Sequence, residues 1–281
     1  MIPAVFDYQR AGSVEEAVAA LSEHGDEAKL LAGGHSLLPL MKLRLAVPSL
    51  LVDVGRLTDL SYIRDSGDHV AIGALTRHRD LEVSGTLARS VPVLAHVAGK
   101  IGDAQVRHRG TVGGSIAHGD SASDLPAALL ALDATCVVEG PGGSREIAAK
   151  EMFLGFLETA IAPDEMLTEV RVRKTQGGWS FQKLTCRSQD WAIVGVVALV
   201  DGPARISLVN MGPKPVRATG VEEALGAGAS IAEAAERAAE GVEPPSDLNA
   251  SAEFRAHLAR VLVRRALEEA FAGGKLDQAG R

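Results

Sequence analysis

The sequence has too few cysteines to bind an iron–sulfur cluster or a thiolate zinc site by itself. Among 281 residues only Cys136 and Cys186 are cysteines, and they form no CxxC or CxxxxC pair. Both kinds of metal site use several closely spaced thiolates. Two isolated cysteines in an acidic chain are typical of reduced core residues in a cytosolic protein.

Long apolar segments and an excess of positive charge are also missing. Residues 1–10 have no apolar signal core, and the best apolar run, residues 192–200, is far too short to span a bilayer. The formal net charge of −7 argues against a nucleic-acid partner, because phosphate binding needs a cationic face. We therefore expect a cytoplasmic protein with no integral membrane segment and no nucleic-acid partner.

The usual nucleotide-binding signatures are absent as well. The chain contains no GxxxxGK[ST] sequence and no GxGxxG that opens a helix after the first strand, so a P-loop or Rossmann site is not expected. Hydrophobic residues make up 46% of the chain, enough for one large or two ordinary domains. Its 30 glycines exceed average usage and concentrate in particular loops.

The hydrophobic pattern divides the first part of the chain into two α/β regions. Residues 1–55 contain a helix that opens with a capping box at Ser13 and Glu16 and ends at Gly25, between short apolar strands. Residues 56–176 contain further strands and helices, which we place at 69–73, 90–101, 125–132, 134–139 and 165–172. Thr76 is expected to cap a helix, and residues 111–119 are expected to form a glycine-rich turn.

A second domain is predicted for residues 177–281, after a linker at residues 174–178. Three strand-like runs come first, at residues 179–185, 192–201 and 204–211. Helical patterns follow at residues 221–225, 231–240 and 250–271. Strands followed by helices indicate a small α+β domain with a three-stranded antiparallel sheet.

Two glycine-rich loops are the strongest candidates for a binding site. They read Ala32-Gly33-Gly34-His35-Ser36 and Thr111-Val112-Gly113-Gly114-Ser115. A Gly-Gly pair permits positive φ and close approach of a ligand to the backbone, and successive amides can form an anion nest. Each loop alone is more often an ordinary turn, but the two together suggest a diphosphate held from both sides.

The loops and their surroundings resemble the FAD-binding medium subunits of the xanthine dehydrogenase and aerobic carbon monoxide dehydrogenase (molybdenum hydroxylase) family. The resemblance extends over nearly the whole chain. Besides the two loops it includes Ile72-Gly73-Ala74, Gln105 to Gly110, Asp124-Leu125-Pro126, Asp164 to Leu167, Phe181-Gln182-Lys183 and the tail from Phe254 to Leu267. It implies an α+β protein with a vanillyl-alcohol-oxidase-type FAD-binding domain at residues 1–176, divided into subdomains of about 1–55 and 56–176, and a C-terminal domain at 177–281.

The resemblance also implies where non-covalently bound FAD would lie. The two loops, with Leu37 and Gly102, would surround the cofactor, and Asp124 would bind its ribose or diphosphate region or cap the next helix. Leu167 would pack against the adenine or flavin. Lys183 would lie near the isoalloxazine or be a solvated strand lysine, and Trp191 would stack on the flavin or fill a domain interface. His35 is expected to contribute its backbone rather than a covalent bond.

The implied function is electron transfer within a complex. A molybdenum cofactor on a large subunit and 2Fe-2S clusters on a small subunit would deliver electrons to the FAD of this chain, and an external acceptor would remove them. We expect no catalytic acid, catalytic base or metal ligand in this chain itself. The expected assembly is a dimer of heterotrimers, associated with the inner face of the membrane only through the complex. The alternatives are a stand-alone FAD-dependent oxidoreductase of the same fold and a flavin-free assembly subunit.

Overall fold

The structure is a computed structural model that describes residues 2–273. Met1 and residues 274–281, which end the expected C-terminal domain, lie outside the described residues. The strands are β1 Asp7–Arg10, β2 Ala28–Leu31, β3 Leu50–Asp53, β4 Ile63–Asp65, β5 His69–Gly73, β6 Thr135–Gly140, β7 Gly143–Ala148, β8 Phe153–Gly155, β9 Glu158–Thr159, β10 Met166–Arg173, β11 Gly178–Leu184, β12 Val194–Val200, β13 Ala204–Val209 and β14 Val216–Arg217. The helices are α1 Val14–His24, α2 Leu37–Lys42, α3 His78–Glu82, α4 Gly85–Ser90, α5 Pro92–Gly99, α6 Ala104–Arg109, α7 Val112–His118, α8 Asp124–Ala131, α9 Ala149–Met152, α10 Thr219–Gly226, α11 Ile231–Glu236 and α12 Ala252–Phe271.

The first sheet is parallel and has the order β1-β3-β2. Helix α1 begins as predicted, because the Ser13 side chain accepts a hydrogen bond from the Glu16 N–H at 3.2 Å. Its apolar side packs over the sheet, in a core that includes Ala17, Val18, Leu21 and Val52. This sheet carries the chain from β2 directly into the first glycine-rich loop.

The second sheet is antiparallel, with the order β4-β5-β10-β6-β7. Strand β10 lies at its centre, between β5 and β6, and its Val170 and Val172 are fully buried. Helices α5, α7 and α8 contribute Leu94, Ile116 and Leu125 to the same core. The end of β5 therefore lies close to the start of α7, where the second glycine-rich loop is found.

The third sheet has the order β11-β12-β13-β14 and is antiparallel. The sequence predicted its three long strands but not β14, a strand of two residues. Strand β12 is buried on both faces: Val197 and Leu199 join the core of the second sheet, and Val196 and Ala198 pack with α12. Side chains alternate between the faces of a strand, so burial on both sides explains its continuous apolar run.

Two predicted local structures differ from the structure. Residues 111–119 are not a turn but contain α7, which Thr111 caps and which ends at Gly119 with φ +66°. Thr76 does not cap a helix, because its hydroxyl bonds to the backbone of Tyr62 and α3 begins at His78. Both differences arise from contacts between segments that are distant in the sequence, which the local pattern does not reveal.

Candidate cofactor-binding site

A cavity of about 590 Å³ lies where the loops of the first two sheets meet the start of α8 and the end of β11. Of the sixteen residues predicted to bind a cofactor, all except Val112 line it. The lining members are Ala32, Gly33, Gly34, His35, Ser36, Leu37, Gly102, Thr111, Gly113, Gly114, Ser115, Asp124, Leu167, Lys183 and Trp191. Segments that are far apart in the sequence therefore converge on one cavity.

The first glycine-rich loop presents a row of available backbone N–H groups. Within residues 2–273, no hydrogen bond uses the N–H of any of residues 33–37. Gly34 takes φ +78°, which glycine adopts without strain. A Cβ on Gly33 would lie 2.4 Å from the Arg109 carbonyl oxygen. Gly34 thus permits the turn that exposes these donors, and Gly33 permits close packing against the next loop.

The second glycine-rich loop does not form the expected anion nest. The Val112 and Gly113 N–H groups donate to the carbonyls of Thr76 and Ala74, at 3.0 and 2.8 Å. The Gly114 N–H donates to the Thr111 hydroxyl at 3.1 Å. Val112 itself is only 2% exposed and belongs to the core, so its predicted role in the cavity is wrong.

The glycines of α7 have different roles. A Cβ on Gly113 would lie 2.7 Å from the Ala74 Cβ, so this glycine permits α7 to pack on the end of β5. A Cβ on Gly114 would approach only the Thr111 Oγ1, at 2.8 Å. Beside it, the hydroxyls of Ser115 and Ser123 are 3.1 Å apart in the cavity wall. Gly114 therefore leaves space for a ligand in the cavity, whereas Gly113 allows α7 to pack against the end of β5.

Asp124 and Lys183 form a buried ion pair in the cavity wall. The Lys183 Nζ is 2.6 Å from the Asp124 Oδ2 and 3.2 Å from the Lys100 carbonyl oxygen. Asp124 Oδ1 is buried and has no hydrogen-bond partner within residues 2–273. Burial raises the pKa of Asp124 to about 6, against the opposing effect of Lys183.

These positions correct two of the predicted alternatives. Asp124 is the first residue of α8, which begins after Ser123, so it is not an N-cap. The Lys183 side chain is only 11% exposed, so it is not a solvated strand lysine. Sequence reasoning gave each residue a separate role and missed their pairing, because 59 residues separate them.

Trp191 lies at the rim of the cavity, in the loop between β11 and β12. It is 58% exposed, so within the described chain it does not fill an interface. Arg187 and Asp190 form an ion pair at 3.0 Å in the same loop. Leu167 lies on β10 beside a bulge, lines the cavity and is 5% exposed. The cavity thus combines an aromatic rim with a buried apolar wall.

The histidines near the first loop differ sharply. Both His35 and His78 line the cavity, but His35 is exposed whereas His78 is buried, with its ring close to Gly110. Burial, reinforced by the charges of His35, Arg77 and other neighbours, lowers the pKa of His78 to about 4, so its imidazole is neutral near pH 7.

Gly102 occupies the turn between α5 and α6. It takes φ +49°, and its carbonyl oxygen accepts a hydrogen bond from Arg107 at 3.1 Å. A Cβ there would lie 3.0 Å from the Cβ of Val106, another lining residue. Gly102 therefore shapes the cavity through its backbone. Asp103, the next residue, caps α6, a helix that the sequence analysis did not predict.

No group of three or more potential metal-ligating side chains occurs within residues 2–273. None of the helices in that part of the chain is both long and apolar enough to cross a membrane.

Comparisons with known proteins match the chain over nearly its whole length. The FAD binding domain in molybdopterin dehydrogenase matches residues 4–174, and the CO dehydrogenase flavoprotein C-terminal domain matches residues 179–270. The carbon monoxide dehydrogenase medium chain of Hydrogenophaga pseudoflava is 43% identical, over 97% of this chain and 99% of that one. The 6-hydroxypseudooxynicotine dehydrogenase complex subunit alpha of Paenarthrobacter nicotinovorans is 39% identical, over 96% of each.

The fold agrees with these similarities. A chain in the solved structure of carbon monoxide dehydrogenase from Hydrogenophaga pseudoflava, in a form that lacks the Mo-pyranopterin moiety of the molybdenum cofactor, superposes with a TM-score of 0.93. The two chains are 43% identical, and the match covers 97% of this chain and 99% of that one.

Proposed function

The chain belongs to the family of FAD-binding medium subunits of molybdenum hydroxylases, and on this premise we propose that the cavity described above holds FAD without a covalent bond. The observation that carries the proposal is the row of available N–H groups at residues 33–37, beside a cavity that the other predicted residues line. Consecutive backbone donors suit a diphosphate, and FAD contains one.

The remaining residues fit the rest of an FAD. The hydroxyls of Ser36 and Ser115 offer polar partners, and the unpartnered Asp124 Oδ1 can accept a hydrogen bond from a ligand hydroxyl or N–H. Lys183 places a cation in the cavity wall, and Trp191 offers a flat apolar surface at the rim. FAD supplies a group that takes up and releases electrons, while these residues bind it and set its electrostatic surroundings.

The role of the chain in the complex follows from the family. It is the flavoprotein subunit, and the molybdenum cofactor and iron–sulfur clusters belong to large and small partner subunits. Electrons pass from the clusters to this subunit and then to an external acceptor. It is close to the aerobic carbon monoxide dehydrogenases, but the relatives also include a 6-hydroxypseudooxynicotine dehydrogenase subunit. We propose carbon monoxide as the substrate of the complex, because the carbon monoxide dehydrogenase medium chain is 43% identical to this chain and the 6-hydroxypseudooxynicotine dehydrogenase subunit is 39% identical.

Several finer features of organisation are proposed with this function. Residues 1–176 would form the FAD-binding domain, of the vanillyl-alcohol oxidase type with subdomains of about 1–55 and 56–176, and residues 177–281 the C-terminal domain. Hydrophobic cores beside β3 and α12 support the first subdomain and the C-terminal domain, and the core of the second sheet also includes Trp179, Phe181, Val197 and Leu199 from beyond residue 176. The complex would be a dimer of heterotrimers in the cytoplasm, associated with the inner face of the membrane only through its assembled surface.

The test compares two glycines that lie in helices without positive φ. Gly114→Val places its side chain in the cavity, whereas Gly226→Val in α10 meets nothing within 4 Å of the added Cβ. We expect the wild-type chain and Gly226→Val to be purified with visible flavin absorbance and Gly114→Val to lack it. Urea unfolding should show Gly114→Val still folded, with a loss of about 0.5–2 kcal/mol from the disturbed Thr111 cap. Retention of FAD by folded Gly114→Val would remove α7 from the site.

A further inference from the structure

The segment at residues 160–165, which joins β9 to β10, forms one wall of the cavity proposed for FAD. Its lining members are Ile161, Ala162, Pro163 and Glu165. Ile161 also packs against the core of the second sheet. Outside the strand ladders of residues 2–273, the only backbone hydrogen bond from this segment to a distant one runs from the Ala160 N–H to the Met152 carbonyl oxygen, at 2.8 Å. The position of the wall therefore depends largely on side chains.

One arginine holds both ends of this wall. Arg145 lies on β7, an edge strand of the second sheet, and its side chain reaches across β6 to the wall. Its Nε and Nη2 donate to the two carboxylate oxygens of Glu165, each at 2.6 Å. The same Nη2 donates to the Ala160 carbonyl oxygen at 2.8 Å. A guanidinium that binds a carboxylate through two nitrogens fixes its direction as well as its distance.

Glu165 passes this constraint to the middle of the wall. Its Oε2 accepts a hydrogen bond from the Ala162 N–H at 2.8 Å, and its own N–H donates to the Ala162 carbonyl oxygen at 3.0 Å. The hydrogen bond with Arg145, the largest influence, lowers the pKa of Glu165 below its ordinary value of 4.5, so the carboxylate is ionised near pH 7. The resemblance included Asp164 to Leu167 but implied a role only for Leu167.

The sheet leaves space for this ion pair. Gly140 is the last residue of β6, and a Cβ added there would lie 2.9 Å from the Glu165 Cγ. Its φ is not positive, so the backbone conformation does not require glycine at this position. The missing side chain at Gly140 therefore serves the placement of Glu165.

We propose that Arg145 is a positioning residue for FAD: through Glu165 it fixes the wall at residues 160–165, and this sets how slowly bound FAD leaves the cavity. The inference rests on the proposed function, because it requires FAD in this cavity. Arg145 does not line the cavity, so it acts on the cofactor only through the wall. Its side chain is 46% exposed, so solvent screens the ion pair, and its removal should change FAD retention more than folding.

The test measures FAD dissociation from the complex with the large and small partner subunits, by filtration after dilution. Arg145→Met keeps the apolar stem, removes all three hydrogen bonds and should release FAD about threefold to tenfold faster. Arg145→Lys keeps a cation with single donors and should recover part of the wild-type retention. Arg264→Met is the matched control, because it breaks an exposed ion pair with Glu268 on α12, outside the cavity, and should change nothing.

A second substitution disturbs the same contact without changing any charge. Gly140→Ala should displace Glu165 and release FAD about twofold to fivefold faster. Its control, Gly142→Ala, meets nothing within 4 Å and should behave as wild type. Because both substitutions act through Glu165, Gly140→Ala should add little to the effect of Arg145→Met. If Arg145→Met does not fold, the comparison of Gly140→Ala with Gly142→Ala decides the matter.

The flavin-depleted full chain of each variant should unfold in urea near the wild-type midpoint. The proposal is overturned if Arg145→Met retains FAD as well as Arg264→Met does, if Arg145→Lys recovers nothing, or if the two effects are additive. A loss of urea stability as large as the loss of FAD retention would also overturn it, because Arg145 would then act on the fold. In each of those cases the wild-type complex still carries FAD, so the proposed function survives. Absence of FAD from the wild-type complex would instead refute the proposed function itself.

Discussion

The buried ion pair of Lys183 and Asp124 makes a quantitative prediction about stability. Lys183→Met keeps most of the length and apolar bulk of the side chain but leaves the Asp124 carboxylate without its ammonium partner. The two side chains are only 11% and 3% exposed, so water compensates little for the loss. Breaking a buried pair by removing one member costs about 3–5 kcal/mol when the remaining charge stays ionised. Asp124 can take up a proton instead, and its pKa of about 6 limits the electrostatic loss at about pH 7.5 to roughly 2 kcal/mol, so we expect a loss of about 1–2 kcal/mol there.

The loss should depend on pH in a defined direction. Burial raises the pKa of Asp124 in the folded protein to about 6, from an ordinary value of 3.8. The folded state therefore binds this proton more tightly than the unfolded state, and the contribution of Asp124 to stability falls as pH rises from about 4 to about 6. Without Lys183 the folded pKa rises further, and each additional unit costs about 1.4 kcal/mol above the new pKa.

The assay is urea unfolding of the flavin-depleted chain at about pH 5.5 and about pH 7.5, on either side of the wild-type pKa. Lys183→Met should be closer to wild type at the lower pH, where Asp124 is protonated. Adding Asp124→Asn to Lys183→Met should restore most of the stability at the higher pH, because no unpaired charge remains. A Lys183→Met loss below about 1 kcal/mol, or one equal at both pH values, would refute this reasoning.

Three further predictions concern the first loop and the complex. Gly33→Ala should lower the free energy of unfolding by about 1–3 kcal/mol, because its Cβ would lie 2.4 Å from the Arg109 carbonyl oxygen, whereas Gly142→Ala has open space and should not; equal urea midpoints would contradict this. Acid precipitation should leave FAD in the supernatant, and flavin in the pellet would indicate a bond to His35. Carbon monoxide should bleach the flavin only after the large and small subunits are added, and bleaching in the isolated chain would favour a stand-alone enzyme.

Elements with a strong local signal could be predicted from the sequence. The capping box at Ser13 located α1, and the apolar runs located β11, β12 and β13 to within a few residues. Strand β1 could not be found in this way, because all four of its residues are exposed and it is defined by pairing with β3. Strand β14 is too short to show a period.

The sequence predicted which residues line the candidate site, but not the hydrogen bonds and ion pairs that those residues form. Motif resemblance located the cavity residues, although the two loops belong to different sheets and are brought together only by the fold. It could not show that the N–H groups of the second loop are already bonded, because their partners Ala74 and Thr76 belong to a distant strand end. Nor could it show that Asp124 and Lys183 neutralise each other. Those facts depend on tertiary contacts.

Helix α8 has a consequence for how the C-terminal sheet can be exchanged between relatives. All eight of its residues are buried, and its Ala127 carbonyl oxygen accepts a hydrogen bond from Ser207 of β13 at 2.6 Å. Trp179 and Phe181 of the C-terminal sheet lie in the same core as the second sheet. A chimera joined near residue 176 would therefore inherit a mismatched surface along α8. Grafting should succeed only when the donor sheet brings its own version of this helix.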